Sequence, residues 1–378
     1  MKRNKLIIIL FVIISAIILY YIYNNNSNKK IGKSPETINQ ELIIKLANTI
    51  SDESINIDFL TWISNQYQIN TLKELENYLE EESYSKDIWH QITGNSYFVL
   101  MDLYNQNNYN KIIIENNNNI ATLSFVGDVS LADNWYIMPK YDERNKGVAG
   151  ILSEEIINIM NNSTLMVVNN EFTISDRGEP LLGKTYTFRA SPKRLSIYSE
   201  MGVDLVTLAN NHVYDFGKLA FDDMINSLNE YKIPYIGAGK NITEAKRPYY
   251  FIINGYKFAF VNATRAEKNI MTPEATDTEG GVFRCYNPTN LINLIKDIKQ
   301  NSDYVIALIH YGKEDSHELE KEQIESSKMY IDAGADVIIG SHAHVLQGIE
   351  FYKEKPIIYN LGDFIFNNET KDTGIFQI

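Results

Sequence analysis

The pattern of apolar and polar positions divides the chain into stretches that predict different structures. Residues 6–23 are an unbroken apolar run, and residues 36–110 carry apolar side chains mainly at helical spacing. Residues 105–119 are rich in asparagine and are expected to form a linker. From residue 120 onward, short apolar runs alternate with amphipathic segments. We therefore expect a membrane segment, a small helical domain over 36–110 and an α/β domain over 120–378.

The apolar run Leu6–Tyr23 is long enough to cross a bilayer as a helix. At about 1.5 Å per residue it spans roughly 27 Å, close to the thickness of the hydrocarbon core. Lys2, Arg3 and Lys5 precede it, which places the N-terminus in the cytoplasm and the rest of the chain outside the cell. A cleaved signal peptide is the alternative, but the run is long for one and no A-x-A cleavage site follows. We expect an uncleaved single-pass anchor in the cell membrane, followed by a linker over residues 24–35.

The C-terminal part of the chain contains apolar runs that predict strands, separated by amphipathic segments that predict helices. The runs are Ala121–Val126, Leu165–Val168, Leu205–Leu208, Tyr235–Ile236, Phe251–Ile253, Phe258–Val261, Val305–Ile309, Val337–Ile339 and Ile357–Tyr359. Asn254-Gly255 between two of them is typical of a tight hairpin. The mixture of hairpin and crossover connections predicts an α/β sandwich of two sheets with helices outside.

Histidines and carboxylates follow six of these predicted strands at the point where each strand ends. They are Asp128, Glu171, His212, His310, the pair His342 and His344, and Asp363. Because ligands of α/β sheets bind beyond the carboxyl ends of the strands, these side chains are expected to converge. A turn residue after one strand is ordinary, but turns would have to explain all six places independently, whereas a metal centre explains them at once. Nitrogen and oxygen ligands without thiolate suit zinc, manganese or iron.

Composition excludes several classes of protein. The formal net charge of -13 argues against a nucleic-acid-binding protein, which normally presents a basic face. The single cysteine, Cys285, excludes an intrachain disulfide framework and a cysteine-rich zinc site. A polyanionic substrate would therefore have to be attracted by a local cationic site or by a metal ion.

The motifs in order resemble a known family. They read GDV from Gly127, NNEF from Asn169, ANNHVYDFG from Ala209, HYGKE from His310, GSHAH from Gly340 and NLGDFIF from Asn360. This series resembles the CapA/PgsA family of poly-γ-glutamate capsule biosynthesis proteins, which is in turn similar to the calcineurin-like metallophosphoesterases. The resemblance covers roughly residue 122 to the C-terminus, and it implies a calcineurin-like metallophosphatase fold, a four-layer αββα sandwich.

The resemblance also implies roles for individual residues. One or two divalent ions (manganese, zinc or iron) would be held by Asp128, Glu171, Asn211, His212, His310, His342 and His344. Asn211 and His212 would also contact the substrate, with His212 protonating the leaving group, and Glu171 would be shared between two ions. Arg189 would lie near the active site and hold a carboxylate or phosphate of the substrate, and the alternative is that it lies on a solvated loop. The positions of Asp215, Glu314 and Asp363 in these motifs suggest that they orient the ligand histidines through hydrogen bonds, with a role as cap or turn residues as the alternative.

Two positions depart from the phosphoesterase pattern. Ser130 stands where those enzymes have the histidine of Asp-x-His, and Glu171 stands where they usually have aspartate. The chain is expected to be an anchored extracellular capsule biosynthesis protein with a metal-dependent, hydrolase-like site. The alternatives are a non-catalytic subunit that binds poly-γ-glutamate or another anionic polymer for a capsule synthase complex, and an extracellular phosphodiesterase or nucleotidase. Family members often continue further, so the last strand is expected to be incomplete at Ile378.

Overall fold

The computed structural model describes residues 36–67, 69–115, 120–133, 135–267, 271–366 and 371–378. The chain divides into two compact units, one ending at Ser85 and the other running from Lys86 to Ile378. Within the described ranges, no helix combines the length and the apolar character needed to cross a membrane. The predicted anchor Leu6–Tyr23 and the linker over 24–35 lie outside those ranges.

The first unit contains the helices Glu36–Thr49, Ile57–Tyr67 and Ile69–Glu81. Their apolar side chains recur at helical spacing and are buried against one another, as at Leu46 and Phe59. These helices account for the first part of the segment that the sequence predicts to be helical.

The segment predicted as one helical domain over 36–110 is divided in the structure, because its last helices pack on the α/β sheet. The helices Ile88–Thr93 and Tyr97–Tyr104 belong to the second unit. The Lys257 ammonium group pairs with the Asp102 carboxylate at 2.6 Å, and both side chains are buried. His90 Nε2 lies 2.8 Å from the carbonyl oxygen of Asn254. The boundary between the units therefore falls at residue 85 rather than 110.

The second unit contains two large mixed sheets. The strands of the larger sheet are β1 Lys111–Ile114, β9 Tyr249–Ile253, β10 Tyr256–Thr264, β12 Tyr304–His310, β13 Val337–Ser341, β14 Ile349–Tyr352 and β15 Lys355–Ile358. Those of the smaller sheet are β2 Leu123–Val129, β3 Leu165–Asn170, β6 Leu205–Thr207, β7 Tyr235–Ile236, β16 Asp363–Ile365 and β17 Phe376–Gln377. The strand orders are β1-β9-β10-β12-β13-β15-β14 and β16-β2-β3-β6-β7, with β17 paired to β2.

Two short strand pairs and a set of helices complete the second unit. The pairs are β4 Thr173–Ile174 with β5 Arg189–Ala190, and β8 Ala238–Gly239 with β11 Gly281–Val282. The helices that follow residue 120 are Ile137–Arg144, Glu154–Asn161, Ser196–Glu200, Gly217–Glu230, Ile242–Ala245, Thr289–Lys299 and Lys321–Ala333. Short 3-10 helices lie at Gly147–Gly150 and Pro192–Leu195.

Three hydrophobic cores separate four layers. The central core joins the two sheets and includes Val167 from β3 and Ile306 from β12. One outer core packs the smaller sheet against helices, with Phe221 from Gly217–Glu230 among its members. The other packs the larger sheet against helices through residues such as Ile295. The expected α/β class is confirmed, and the layers run helix, sheet, sheet, helix.

The β9–β10 hairpin could be predicted from local sequence, whereas the strand β1 could not. Asn254 and Gly255 join β9 to β10 with φ angles of 49° and 77°, so the predicted tight hairpin is confirmed. The prediction of a linker over 105–119 is wrong for β1, which pairs in parallel with β9. The short apolar run of β1 lies between asparagine-rich segments and pairs with a strand far away in the sequence, so local sequence did not predict it as a strand.

Candidate metal centre

Parallel pairing brings the ends of several strands to one edge of the sandwich. In β2 and β3, Asp128 lies opposite Asn169, and Glu171 follows β3 directly. In β12 and β13, His310 lies opposite Ser341. The polar residues that end these strands are therefore neighbours, because parallel strands all finish on the same side of a sheet.

The loop after β13 has an unusual backbone conformation. His342 and His344 have φ angles of 97° and 56°, in a region that few non-glycine residues adopt. A Cβ on the preceding Gly340 would collide with the carbonyl oxygen of Tyr359, so the close approach of the chains requires glycine there. The backbone amide of His342 donates to the Asp128 carboxylate at 3.2 Å. This contact holds the strained loop, with both imidazoles, against the end of β2.

Three overlapping groups of side chains have ligand atoms that all lie within 4.8 Å of one another. The groups are Glu171 with His342 and His344, Asp128 with Glu171 and His310, and Asp128 with His344 and Asp363. Glu171 belongs to two of the groups, and so does Asp128. A carboxylate shared in this way is suited to bridging two adjacent cations.

Two atoms of the centre test whether these residues fit a metal ion. Glu171 Oε1 and His342 Nδ1 are buried and have no hydrogen-bond partner among the described residues. Glu171 Oε1 lies 3.5 Å from His310 Nε2 and 3.8 Å from His344 Nε2. Leaving a buried polar atom unpaired costs roughly 1–3 kcal/mol, and such atoms are rare in native proteins. A divalent cation would satisfy both atoms, so the residues fit a metal ion.

The histidines of the centre differ in protonation. Burial, together with neighbouring histidines, places the pKa of His310 well below its usual value and lowers that of His342 to about 3. Both rings are therefore neutral at physiological pH, which is the form that binds a metal. Burial opposes protonation of His344, but the Glu171, Asp128 and Asp363 carboxylates hold the pKa of this imidazole well above its usual value. A metal ion would provide the positive charge that protonated His344 provides in its absence.

The pKa values of the two buried carboxylates, Glu171 and Asp128, are shifted in opposite directions. Burial, reinforced by the Asp128 carboxylate, raises the pKa of Glu171 well above its usual value. Burial also disfavours ionisation of Asp128, but hydrogen bonds from His344 and Asn169 lower its pKa overall. Glu171 is thus the carboxylate with the most to gain from a nearby cation.

Asn211 joins the centre, whereas His212 lies beside it. Asn211 Oδ1 is 2.8 Å from His310 Nε2. His212 is not a member of the three described groups, and its Nδ1 lies 2.8 Å from Asp215 Oδ2. That hydrogen bond leaves Nε2 as the nitrogen available in the cavity that His212 and His344 line together.

The residues predicted to orient histidines differ in their positions. Asp215 hydrogen-bonds the Nδ1 of His212 as described above, and Asp363 Oδ1 lies 2.7 Å from the Nδ1 of His344. Asp215 also pairs with the Lys184 ammonium group at 2.7 Å. Glu314 is exposed and lines two cavities next to the centre instead.

Arg189 is not brought to the centre. Its guanidinium donates to the carbonyl oxygens of Arg177 and Gly178 at 3.3 and 3.0 Å, and it lies over the Phe216 ring at 4.2 Å. Arg189 lines a separate cavity. Phe188, the preceding residue, lies beside His212 with ring centroids 4.5 Å apart. Because successive residues of an extended chain point to opposite sides, Arg189 faces away from His212.

Asn169 is a site residue that the sequence interpretation missed. Its Nδ2 donates to Asp128 Oδ1 at 2.9 Å and to Glu171 Oε2 at 3.1 Å. Its Oδ1 accepts from Thr207 Oγ1 at 3.0 Å and from Asn210 Nδ2 at 3.1 Å. The buried amide therefore holds the two carboxylates at a fixed separation. The asparagine doublets at the end of β3 and after β6 were the available signal.

Comparison with known proteins identifies the family to which the chain belongs. Residues 122–368, which include every residue of the three groups, match the family model described as bacterial capsule synthesis protein PGA_cap. The chain belongs to the PGA_cap family. It is 34% identical over 201 residues to the capsule biosynthesis protein CapA of Bacillus anthracis, covering 51% of this chain and 48% of that protein.

Two further relatives are more distant in sequence. The PGA biosynthesis protein CapA of Bacillus subtilis (strain 168) is 26% identical over 273 residues, covering 68% of this chain and 67% of that protein. A probable polyglutamine synthesis accessory protein of Mycobacterium tuberculosis is 27% identical over 213 residues, covering 54% of this chain and 56% of that protein. This PGA_cap chain thus spans between about half and two thirds of the length of these relatives.

One solved structure shows a weak overall similarity. A hypothetical protein from Thermus thermophilus matches with a TM-score of 0.40 and 18% sequence identity, covering 64% of this chain and 76% of that chain.

Two cavities adjoin the centre of this PGA_cap domain. One, of about 240 Å3, is lined by His212 and His344 together with the aromatic residues Trp135, Tyr136, Tyr186, Phe188 and Phe366. The other, of about 470 Å3, is lined by His342, Asn211 and Arg265, among others. Glu314 lines both cavities, so a substrate at the centre can extend in two directions.

Proposed function

We propose that the chain is a capsule biosynthesis protein whose α/β domain holds one or two divalent ions in a hydrolase-like site. The unpaired, buried Glu171 Oε1 and His342 Nδ1 carry this proposal, because they lie in overlapping groups of potential ligands. The family and the names of its relatives favour an anionic polymer such as poly-γ-glutamate as substrate, with synthase subunits as partners. The order of layers supports a calcineurin-like metallophosphatase arrangement. Manganese, zinc and iron all suit the ligands.

The residues of the site have separable roles in this proposal. A divalent ion bound here would supply Lewis acidity toward a phosphoryl or amide group and would activate water. Burial lowers the pKa of His212 although Asp215 opposes this, so the ring is largely neutral with its Nδ1 proton donated to Asp215. Nε2 of His212 would take a proton from the attacking water and pass it to the leaving group, and Asp215 would stabilise the imidazolium in between.

His212→Gln is expected to reduce turnover by about 10²–10⁴-fold and to leave the metal content near that of the parent. The reason is that His212 lies outside the groups of potential ligands and acts on protons instead. Turnover is measured with a generic phosphodiester and with a γ-linked glutamate polymer, and metal content by mass spectrometry. Loss of metal together with turnover would show that His212 is a ligand and would contradict this assignment.

One observation favours a non-catalytic function as second candidate. Ser130 occupies the position of a ligand histidine in the phosphoesterases, and its buried Oγ has no hydrogen-bond partner among the residues that are described. A domain with a weakened metal position would bind a polyanion without cleaving it. A parent protein that binds metal and polymer but turns over neither substrate would support this second function.

We also propose that Leu6–Tyr23 anchors the protein with its N-terminus in the cytoplasm and the α/β domain outside the cell. The unbroken apolar run and the preceding Lys2, Arg3 and Lys5 support this proposal. The full chain is expected in the membrane fraction, and protease added to intact cells should degrade the α/β domain. Deletion of residues 1–23 should release the protein from the membrane. Full protection of the domain from protease would contradict the orientation.

A further inference from the structure

Arg265 lies at the same edge of the sandwich as the metal centre. It directly follows β10, and its backbone amide donates to the carbonyl oxygen of His310 at 2.8 Å. Its half-buried side chain lies over the Tyr286 ring, 5.3 Å from the centroid. Arg265 lines the larger cavity together with His342 and Asn211. The guanidinium is therefore placed where a substrate bound at the centre would extend.

Two buried cations near this cavity, Lys184 and Arg284, are already paired with carboxylates. The Lys184 ammonium group pairs with Asp215 at 2.7 Å and with Glu267 at 3.2 Å. The Arg284 guanidinium lies 3.5 Å from Glu267 and donates to the carbonyl oxygen of Ala266 at 3.2 Å. The ion pairs formed by the described part of the chain include no carboxylate partner for Arg265.

The carboxylates that line the cavity do not neutralise Arg265. Glu267 is held by Lys184 and Arg284, and Glu320, the N-cap residue of the helix Lys321–Ala333, forms no ion pair with Arg265 among the described residues. Glu314 is exposed where the two cavities adjoin. Lys313, also exposed, lines the same cavity and adds a second positive charge.

We propose that Arg265 forms an oxyanion-binding subsite that holds a carboxylate or phosphate of the substrate beside the metal centre. This proposal rests on the proposed function, because it assigns the substrate an anionic group on the His342 side of the reacting bond. A planar guanidinium binds an oxyanion through two parallel hydrogen bonds, and the Tyr286 ring beside it limits the orientations that it can adopt. In a protein with a net charge of -13, such a local cation would help the metal centre to retain an anionic substrate.

The test compares Arg265→Gln with Arg247→Gln in the full-length protein. Arg247 is exposed and lines a different cavity, so its replacement makes the same change in charge away from the centre. Binding of γ-linked triglutamate and of inorganic phosphate is measured by calorimetry, and metal content is measured on the same samples. Arg265→Gln is expected to bind at least one of the two probes at least about tenfold more weakly, with unchanged metal content. Arg247→Gln should bind both probes like the parent.

The outcomes distinguish a carboxylate from a phosphate as the bound oxyanion. They also distinguish failure of the Arg265 subsite from failure of the proposed metal-dependent function. If Arg265→Gln binds only triglutamate more weakly than the parent does, the subsite holds a carboxylate. If it binds only phosphate more weakly, the subsite holds a phosphate ester. Weaker binding of either probe supports the subsite. Equal affinities in Arg265→Gln and the parent, or equal losses in Arg265→Gln and Arg247→Gln, would overturn it. A parent without metal would refute the proposed function, while the affinities would still test Arg265.

A second variant, Arg265→Lys, keeps the test decisive if Arg265→Gln does not fold. Arg265→Lys keeps the positive charge and removes the paired hydrogen bonds, so it should bind more weakly than the parent and more tightly than Arg265→Gln. Thermal denaturation shows whether each variant folds. If Arg265→Gln does not fold, a loss of affinity in Arg265→Lys but not in Arg247→Lys supports the subsite, and parental affinity in Arg265→Lys overturns it.

Discussion

Replacing His342 and His344 together by alanine is expected to remove the divalent metal from the protein. Both imidazoles form a group of potential ligands with Glu171, and His342 Nδ1 has no other described partner. Loss of a residue that only orients a ligand weakens metal binding by roughly 10–100-fold, so loss of two ligands should exceed that. The parent should retain between about one and two ions per chain, as expected for one or two metal positions. Metal content after dialysis is measured by mass spectrometry.

A matched control for this pair is His317→Ala. His317 is exposed, and its Nδ1 lies 2.8 Å from the carbonyl oxygen of Leu346. Its replacement removes a histidine from the protein without touching the centre, so the metal content should stay at the parental value. Equal metal content in the double variant and the parent would remove the basis for a metal-dependent site.

The second large effect is expected for Glu171→Gln, which should be more stable than the parent without metal and should lose most of the stabilisation that metal gives the parent. Without metal, the free energy of unfolding of this variant near pH 8 is expected to be roughly 1–3 kcal/mol larger than that of the parent, because the variant no longer buries a carboxylate. The amide oxygen can still accept the hydrogen bond from Asn169. With metal at about a hundred times its dissociation constant, the parent gains about 2.7 kcal/mol, and the variant gains little. Denaturant titrations with a chelator and with manganese measure both effects.

The pH dependence of this effect has a definite sign. Burial, with the Asp128 carboxylate nearby, raises the pKa of Glu171 in the folded protein. A raised pKa means that folding favours the protonated carboxyl group, so its stabilising contribution is complete below the unfolded-state pKa. The contribution is lost as pH rises through the raised value. The stability difference between metal-free Glu171→Gln and the parent should therefore grow with pH. A difference that shrinks as pH rises would contradict this assignment.

Much of the fold could be predicted because apolar runs mark buried strands. The runs from Ala121–Val126 to Ile357–Tyr359 all overlap observed strands. The potential ligands could be predicted for a related reason, since Asp128 and His310 lie at the ends of parallel strands and such ends share one edge. Local sequence patterns are sufficient to predict where a side chain lies when the path of the backbone alone determines its position.

The remaining features depend on contacts between distant parts of the chain. β1 is a strand because β9 pairs with it, and the helix Tyr97–Tyr104 belongs to the second unit because Asp102 pairs with Lys257. The motif around Arg189 suggested a substrate contact, but the direction of its side chain depends on how the chain is turned at Phe188. Arg265 follows β10 as the ligands follow their strands, so the same rule applied to Phe258–Val261 would have identified it.

The central claim is that side chains from distant strands form one pocket that holds divalent cations. Anomalous diffraction at the manganese edge from crystals grown with manganese tests it directly. The account predicts one or two peaks at about 2.0–2.3 Å from Glu171 Oε1, at least one of them at a similar distance from a nitrogen of His310, His342 or His344. A well-ordered pocket without a peak, or peaks confined to other parts of the protein, would contradict the account.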